Sequence, residues 1–343
     1  MPNSNDLIIC GLGAMGQRIA RLALIRGYRI RAVVDRDPAK VGKPLHELLD
    51  IATHEYLITV TSDLGAALQG EKATVMHATG SFLSDIAPQL RACLAQGHDV
   101  ISIAEEMAYP AAADVELAAE LNELASANGA RLLGTGVNPG FAMDVLLMAL
   151  TVPCGHVSHV HARRCNDLSD FGATVLDSQG VGLTASAFEA AIASGKVVGH
   201  VGFRQSIGLM AAHFGWPIDR IEERKSAIIS QSTRSTPHVS VAPGQVAGCL
   251  HEAVAFCGEQ EVIRLEHPQQ IHPGLEGIET SDVARITGDQ TIEMRISPEV
   301  SGGSGTAACA VNAIAYLRQA KPGLVHINEL PLTSPRSFFS TTS

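Results

Sequence analysis

The sequence predicts an α/β protein of two domains, a doubly wound parallel sheet followed by an α+β domain on a mostly antiparallel sheet. Three observations carry this. The chain has 343 residues, 46% of them hydrophobic and 17% charged, enough apolar material for two cores of ordinary size. Short apolar runs alternate with helical stripes up to about residue 140, the pattern of parallel strands joined by crossover helices. Beyond about residue 150 the runs alternate with period two, as antiparallel strands with one covered face do.

Leu7–Cys10 is a short apolar strand that runs into glycine. Met15, Ile19, Leu22 and Ala23 follow at helical spacing, and Gly27 is placed to close that helix. Ile30–Val34 reads as the second strand, with Thr74–Ala78, Val100–Ala104 and Arg131–Gly134 after it. Ser84–Gln96 and Ala111–Asn128 are helical between them. In the second half Val157–Ala162, Glu261–Leu265 and Thr291–Ile296 alternate as strands, while Ala185–Ser194 and Phe203–Phe214 are helical. A last helix, Thr306–Gln319, follows the glycine-rich stretch 301–305 and is expected to pack back on the first domain. The expected division is therefore 1–145 joined by about 304–343, with 146–303 as the second domain. A polar Ser/Thr-rich tail after Leu332 is expected to fray.

Composition excludes several classes of function. With 25 Lys+Arg against 35 Asp+Glu the net charge is −10, and aromatics are 4%. A nucleic-acid binder wants a basic face and stacking rings, so no nucleic-acid partner is expected. No apolar run reaches the roughly 18–20 residues of a membrane helix, and the polar start carries no secretion signal. Seven cysteines, at 10, 93, 154, 165, 249, 257 and 309, form no CxxC pair. They read as reduced, mostly buried thiols of a cytoplasmic protein, with no metal site.

Gly11-Leu12-Gly13-Ala14-Met15-Gly16 directly follows the first strand and opens the first helix. Gly11 permits the tight turn, Gly13 lets backbone approach a pyrophosphate, and Gly16 lets helix and strand pack closely. The N–H groups at the start of the helix, around Ala14 and Met15, are then free for phosphate. Asp35 ends the second strand nineteen residues beyond Gly16, where an acid accepts ribose hydroxyls. This is a Rossmann-type dinucleotide site; the plainer alternative is a glycine-rich turn that binds no nucleotide. Asp35 favours NAD, whereas Arg36 or Lys40 would grip the extra phosphate of NADP, so both cofactors stay open. Thr79 and Asn138, in the glycine and hydroxyl clusters 77–81 and 134–140, are candidates for ribose or nicotinamide, or else ordinary helix caps.

Val100–Ala104 delivers Glu105 and Glu106 to the carboxyl edge of the sheet. A carboxylate in a cleft there has a raised pKa by desolvation and trades protons with an amine near neutral pH. The alternative is that both acids form the solvated first turn of the next helix, favoured by its dipole.

The whole chain resembles the 2,4-diaminopentanoate dehydrogenases and the related native amine dehydrogenases, which share the dinucleotide domain of dihydrodipicolinate reductase. The matching stretches are Gly11–Gly16, Ser102–Pro110 (SIAEEMAYP), Gly134–Phe141 (GTGVNPGF), Gly199–Trp216 (GHVGFRQSIGLMAAHFGW) and Gly302–Asn312 (GGSGTAACAVN). The resemblance implies NAD(P)-dependent oxidative deamination of an amine, reversible as reductive amination of a ketone or aldehyde with ammonia. It implies that a glutamate of the EE pair is catalytic: Glu105, with Glu106 as the alternative. It also implies a substrate pocket between the domains lined by Phe141, Met143, Phe171, Phe203, Leu209, Met210 and Thr306, the last also counted with the cofactor site. Asp170 and Arg204 are the nearest chargeable candidates for a second polar group on the substrate. The second domain would serve substrate binding and homodimerisation.

Residues separate this chain from two rival enzyme classes, and a non-enzyme is the third alternative. Dihydrodipicolinate reductase carries a paired-histidine HHxxK stretch, whereas His159 and His161 are separated here and no lysine follows. Sugar-type oxidoreductases place Glu-Lys-Pro where this chain has Glu105-Glu106-Met107. A nucleotide-sensing protein would bind the cofactor and turn nothing over.

Overall fold

The computed structural model describes residues 6–51 and 58–335; most of the tail predicted to fray lies outside them. The chain begins with β1 (Asp6–Cys10), α1 (Ala14–Ile25), β2 (Arg29–Val34) and the short α2 (Leu45–Leu49) and α3 (Leu64–Ala67). Then come β3 (Thr74–His77), α4 (Leu83–Ala95), β4 (Asp99–Ser102), α5 (Val115–Ala127) and β5 (Arg131–Gly134). The middle of the chain holds α6 (Val145–Leu150), β6 (Val157–Asp167), α7 (Ala173–Ser178), α8 (Ala185–Ala193), α9 (Phe203–Phe214) and β7 (Arg220–Ile229). A small pair, β8 (Arg234–Ser235) and β9 (Ser240–Val241), precedes β10 (Val246–Cys257), β11 (Gln260–Gln270), β12 (Ser281–Gly288) and β13 (Thr291–Ile296). α10 (Gly302–Leu317) and β14 (Gly323–Val325) follow.

Two compact units result. One contains the described residues up to Gly140 together with those from Ser301 onward; the other is Phe141–Val300. In the first unit six strands lie in the order β14-β5-β4-β3-β1-β2, each pair parallel. Leu7, Ile8, Ile9, Val75, Val100, Ile101, Leu132 and Leu133 are fully buried, as strands covered on both faces require. The strand order reverses at β1, which has β2 on one side and β3 on the other. An open α/β sheet binds its ligand beyond the carboxyl ends of the strands at such a point.

Helix α1 buries Gly16, Ile19, Ala20 and Ala23, while Met15 and Leu22 are only half-buried. The predicted stripe is thus rotated toward its smallest residues. The reason is close approach: a side chain at Gly16 would overlap the Gly11 carbonyl. α10 packs along α1 within this unit, and it starts at Gly302, inside the stretch expected to precede it. β3 and β4 end earlier than predicted, at His77 and Ser102. At Ser102 the side-chain Oγ accepts the Ala104 N–H at 3.2 Å and turns the chain out of the strand.

The sheet of the second unit has the order β13-β12-β6-β11-β10-β7. Its pairs are antiparallel except β6 with β11. Both sheets are therefore of the predicted kinds. None of the seven cysteines, all among the described residues, is in a disulfide. Among the described residues no helix is long and apolar enough to cross a membrane.

Candidate active site

Residues just beyond β1, β2 and β3 line a cleft of about 430 Å³ that includes Gly11, Gly13, Asp35, Arg36, Ser62, Thr79 and Gln89. Gly11 has φ +93°, and a Cβ there would overlap the Ala78 carbonyl and meet Thr79 Cγ2 at 2.9 Å. Gly13 differs: a Cβ would meet nothing within 4 Å, so the start of α1 is open to an incoming group. No side chain caps that helix. Exposed N–H groups and the positive end of the helix dipole therefore face open space, a cradle that fits a pyrophosphate. Ala14 is exposed and Met15 half-buried in the same first turn.

Asp35 is heavily engaged. Its Oδ2 accepts the Leu12 N–H at 2.7 Å and its Oδ1 the Asp37 N–H at 2.8 Å, with Lys40 Nζ 3.3 Å away. Burial pushes this carboxyl up, but the two backbone donors and Lys40 together outweigh it and hold Asp35 below the usual range. Lys40 also pairs with Asp37. Arg36 lines the same cleft, so two acids, Asp35 and Asp37, and two cations, Arg36 and Lys40, gather just beyond β2.

Thr79 is held from behind. Its hydroxyl donates to Gln89 Oε1 at 2.6 Å and lies 2.9 Å from His77 Nε2. The other ring nitrogen of His77 is 3.0 Å from Ser102 Oγ. Burial drives the His77 pKa down, so this ring is a neutral bracket. Thr306 Oγ1 accepts the Val137 N–H at 3.2 Å and thereby anchors the loop 134–140, which carries the half-buried Asn138.

Glu105 and Glu106 do not extend the strand. They open a 3₁₀ turn, Glu105–Ala108, and both are half-buried. The turn rests on β5, because a Cβ on Gly134 would overlap the Met107 carbonyl. The two acids have different surroundings. Burial pushes the Glu105 pKa up, with a smaller push from Glu106 and with the influence of Ser81 opposing the rise. Glu106 Oε2 accepts the Leu83 N–H at 2.5 Å, at the first turn of α4. Glu106 thus caps a helix, while Glu105 keeps a proton-binding carboxyl with a raised affinity.

In the second unit Met143, Phe203, Leu209 and Met210 are buried, at 2% exposure or less, and Phe141 and Phe171 are half-buried. Phe171 packs on the cluster of Leu168, Leu176, Val181 and Ile271. Phe203 has ring contacts to His200 at 4.9 Å and to His251 at 4.7 Å, and His267 lies 4.8 Å from His200. Burial, then neighbouring His251 and Arg164, lowers the His200 pKa to about 3; burial also drives His267 well down. His200 Nε2 is buried with no hydrogen-bond partner among the described residues. Arg204 pairs with Glu223 at 2.8 Å, and Glu223 lies 3.3 Å from His251 Nε2. Asp170 is exposed. Ser206 donates to Asp144 Oδ2 at 2.7 Å, tying the GHVGFRQS stretch to the residues just after GVNPGF.

Ser81, Gln89, Asp144 and the three buried histidines were not singled out from the sequence for these places. No local sequence signal marks the histidines: His251 and His267 meet only because they are direct partners across β10 and β11, on one face. Among the described residues no group of three or more His, Cys, Asp or Glu side chains is placed to hold a metal ion.

A parallel sheet with this glycine turn, open helix start and acid after β2 defines a dinucleotide-dependent oxidoreductase fold. The family model described as the 2,4-diaminopentanoate dehydrogenase C-terminal domain matches residues 141–340. The chain is 37% identical over 337 residues to the 2,4-diaminopentanoate dehydrogenase of Acetoanaerobium sticklandii, covering 95% of this chain and 93% of that one. It belongs to the 2,4-diaminopentanoate dehydrogenase family. Among solved structures it is similar to an amine dehydrogenase from Mycobacterium smegmatis, with TM-score 0.84 and 25% identity over 96% of this chain and 97% of that one. A UDP-N-acetylglucosamine 3-dehydrogenase from Acidithiobacillus ferrooxidans shares the fold, with TM-score 0.55 and 11% identity over 92% and 90% of the two chains.

Proposed function

We propose that this protein is an amine dehydrogenase that interconverts a small amine with its ketone or aldehyde and ammonia, using NAD or NADP. The observation that carries the reading is the divided glutamate pair: Glu106 is spent on a helix cap, and Glu105 stands half-buried with a raised proton affinity. A bound nicotinamide would supply the hydride exchange with the substrate carbon. Gly11, Gly13 and the first-turn N–H groups of Ala14 and Met15 would hold the pyrophosphate, with Gly16 letting α1 lie close enough to present them; Asp35 and Arg36 would address the adenosine ribose. Thr79 and Asn138 serve the remaining polar contacts, with Thr306 holding the Asn138 loop. Phe141, Met143, Phe171, Phe203, Leu209 and Met210 are proposed for the apolar part of the substrate.

Glu105 takes a proton from the substrate ammonium in deamination, since only the free amine expels hydride. In the other direction its carboxylate steadies the iminium cation and carries protons as the carbinolamine loses water. A second reading, a diaminopentanoate substrate, is favoured by the polar set His200, His251 and His267 around Phe203, which suits a ligand with further polar groups.

The test is cofactor oxidation with a panel of ketones and keto acids, with and without ammonium. Turnover that requires ammonium supports the reading; turnover without it returns the protein to the dihydrodipicolinate reductase-like class. Faster turnover of the keto acids favours the second substrate. The protein is further proposed to be a cytoplasmic homodimer, with a light-scattering mass of twice the chain mass as the check.

A further inference from the structure

His77 and Ser102 are direct partners across β3 and β4, and a chain of hydrogen bonds runs from that pair into the nucleotide cleft. Ser102 is fully buried, and its Oγ accepts the Ala104 N–H at 3.2 Å and lies 3.0 Å from His77 Nδ1. The hydroxyl proton therefore goes to Nδ1, because any other direction leaves it buried without an acceptor. Burial keeps the ring neutral, so its own proton sits on Nε2 and is donated to Gln89 Oε1 at 2.8 Å. The Thr79 hydroxyl donates to the same oxygen at 2.6 Å. Two donors thus hold the carbonyl end of the Gln89 amide, and its NH2 group has no partner among the described residues. Gln89 stands one helical turn from Asp85 and Ile86 on α4, and all three line the cleft with Gly11, Gly13 and Thr79.

We propose that Gln89 binds the dinucleotide, its NH2 donating to an acceptor oxygen of the cofactor, and that His77 is the positioning residue that turns the amide this way. The proposal rests on the reading of the cleft as the cofactor site. An amide has two faces: reversed, Gln89 would present a carbonyl oxygen, which repels phosphate. His77 closes off that reversal from behind. Thr79, its proton spent on Gln89, offers the cleft lone pairs alone. The two side chains together present a donor and an acceptor, a pair that suits the phosphate oxygens and ribose hydroxyls of a dinucleotide.

The experiment uses the full chain and titrates NADH and NADPH by fluorescence. Gln89→Met should weaken both about ten- to a hundredfold, the worth of one hydrogen bond to a charged group. Gln89→Glu keeps an acceptor for Thr79 and His77 and replaces the NH2 by an anionic oxygen. It should bind no better than Gln89→Met, also in about 1 M salt, where charges beyond roughly 3 Å are screened. Parent-like affinity in either variant overturns the proposal. NMR of the histidine ring nitrogens, with His77 assigned by its loss in His77→Gln, reads the ring itself: the proton is expected on Nε2, with Nδ1 bare. A proton on Nδ1 reverses the amide and overturns the proposal as well. A parent protein that binds neither nucleotide overturns the reading of the cleft instead, and the ring tautomer then still decides which way His77 turns Gln89.

Discussion

Glu106 offers the sharpest separation of structure from chemistry. Its carboxylate accepts the N–H of Leu83, a residue 1% exposed, at the start of α4. Glu106→Ala strands that donor, at a cost of about 1–3 kcal/mol for a buried group left without a partner. Glu106→Gln keeps an acceptor oxygen and loses only the attraction to the helix end, about 0.3–1 kcal/mol. At about 2–4 °C per kcal/mol for a unit of this size, the melting temperature should fall by roughly 2–12 °C for alanine and about 1–4 °C for glutamine. Calorimetry measures this, and steady-state cofactor oxidation measures the rest: Glu106→Gln should keep turnover within about tenfold of the parent. A glutamine variant that melts normally and turns nothing over would exchange the roles of the two acids and refute the assignment.

Other consequences are equally open to measurement. Asp35→Asn removes the charge that faces the ribose, so the ratio of NADPH to NADH affinity in fluorescence titrations should rise about tenfold, roughly 1.4 kcal/mol; an unchanged ratio places the preference elsewhere. Gly134→Ala pushes a methyl group against Met107 O and Ala108 N, the latter 2.6 Å away, and should cost about 1–3 kcal/mol in urea unfolding together with most of the activity. Parent-like values for both would separate β5 from the Glu105 turn. The buried histidines predict acid lability. His200 is held neutral down to about pH 3, whereas an unfolded imidazole takes its proton near 6.5. Stability is therefore intact above 6.5 and falls as pH drops below it, by up to roughly 1.4 kcal/mol per pH unit from this residue. Urea midpoints between pH 7 and pH 4 should show that slope, and His200→Phe should flatten it; an equal slope in both proteins refutes the assignment.

Short-range signals were readable in the sequence. The GLGAMG turn, the acid after β2 and helices such as Phe203–Phe214 depend on neighbours a few residues apart, and the structure shows them at the expected places. Strands β7, β10 and β12 give no clear pattern, because VAGCLHEAVAFC mixes small and apolar residues on both faces and half of RIEERKSAII is charged. β14 has three residues, too few for any period. The division of labour within the glutamate pair was equally hidden. It depends on β3 lying beside β4 and on the chain leaving β4 at Ser102, neither of which local spacing encodes. The cluster at Phe203 draws its histidines from a loop and two strands, so only register brings them together.

Everything chemical here turns on a single carboxyl group beyond the end of β4, and single-turnover kinetics of Glu105→Gln address it directly. With saturating reduced cofactor, ketone and ammonium, the variant should bind cofactor as the parent does yet oxidise it about a hundred- to ten-thousandfold more slowly. Oxidation at the parental rate would show that amine chemistry proceeds without Glu105.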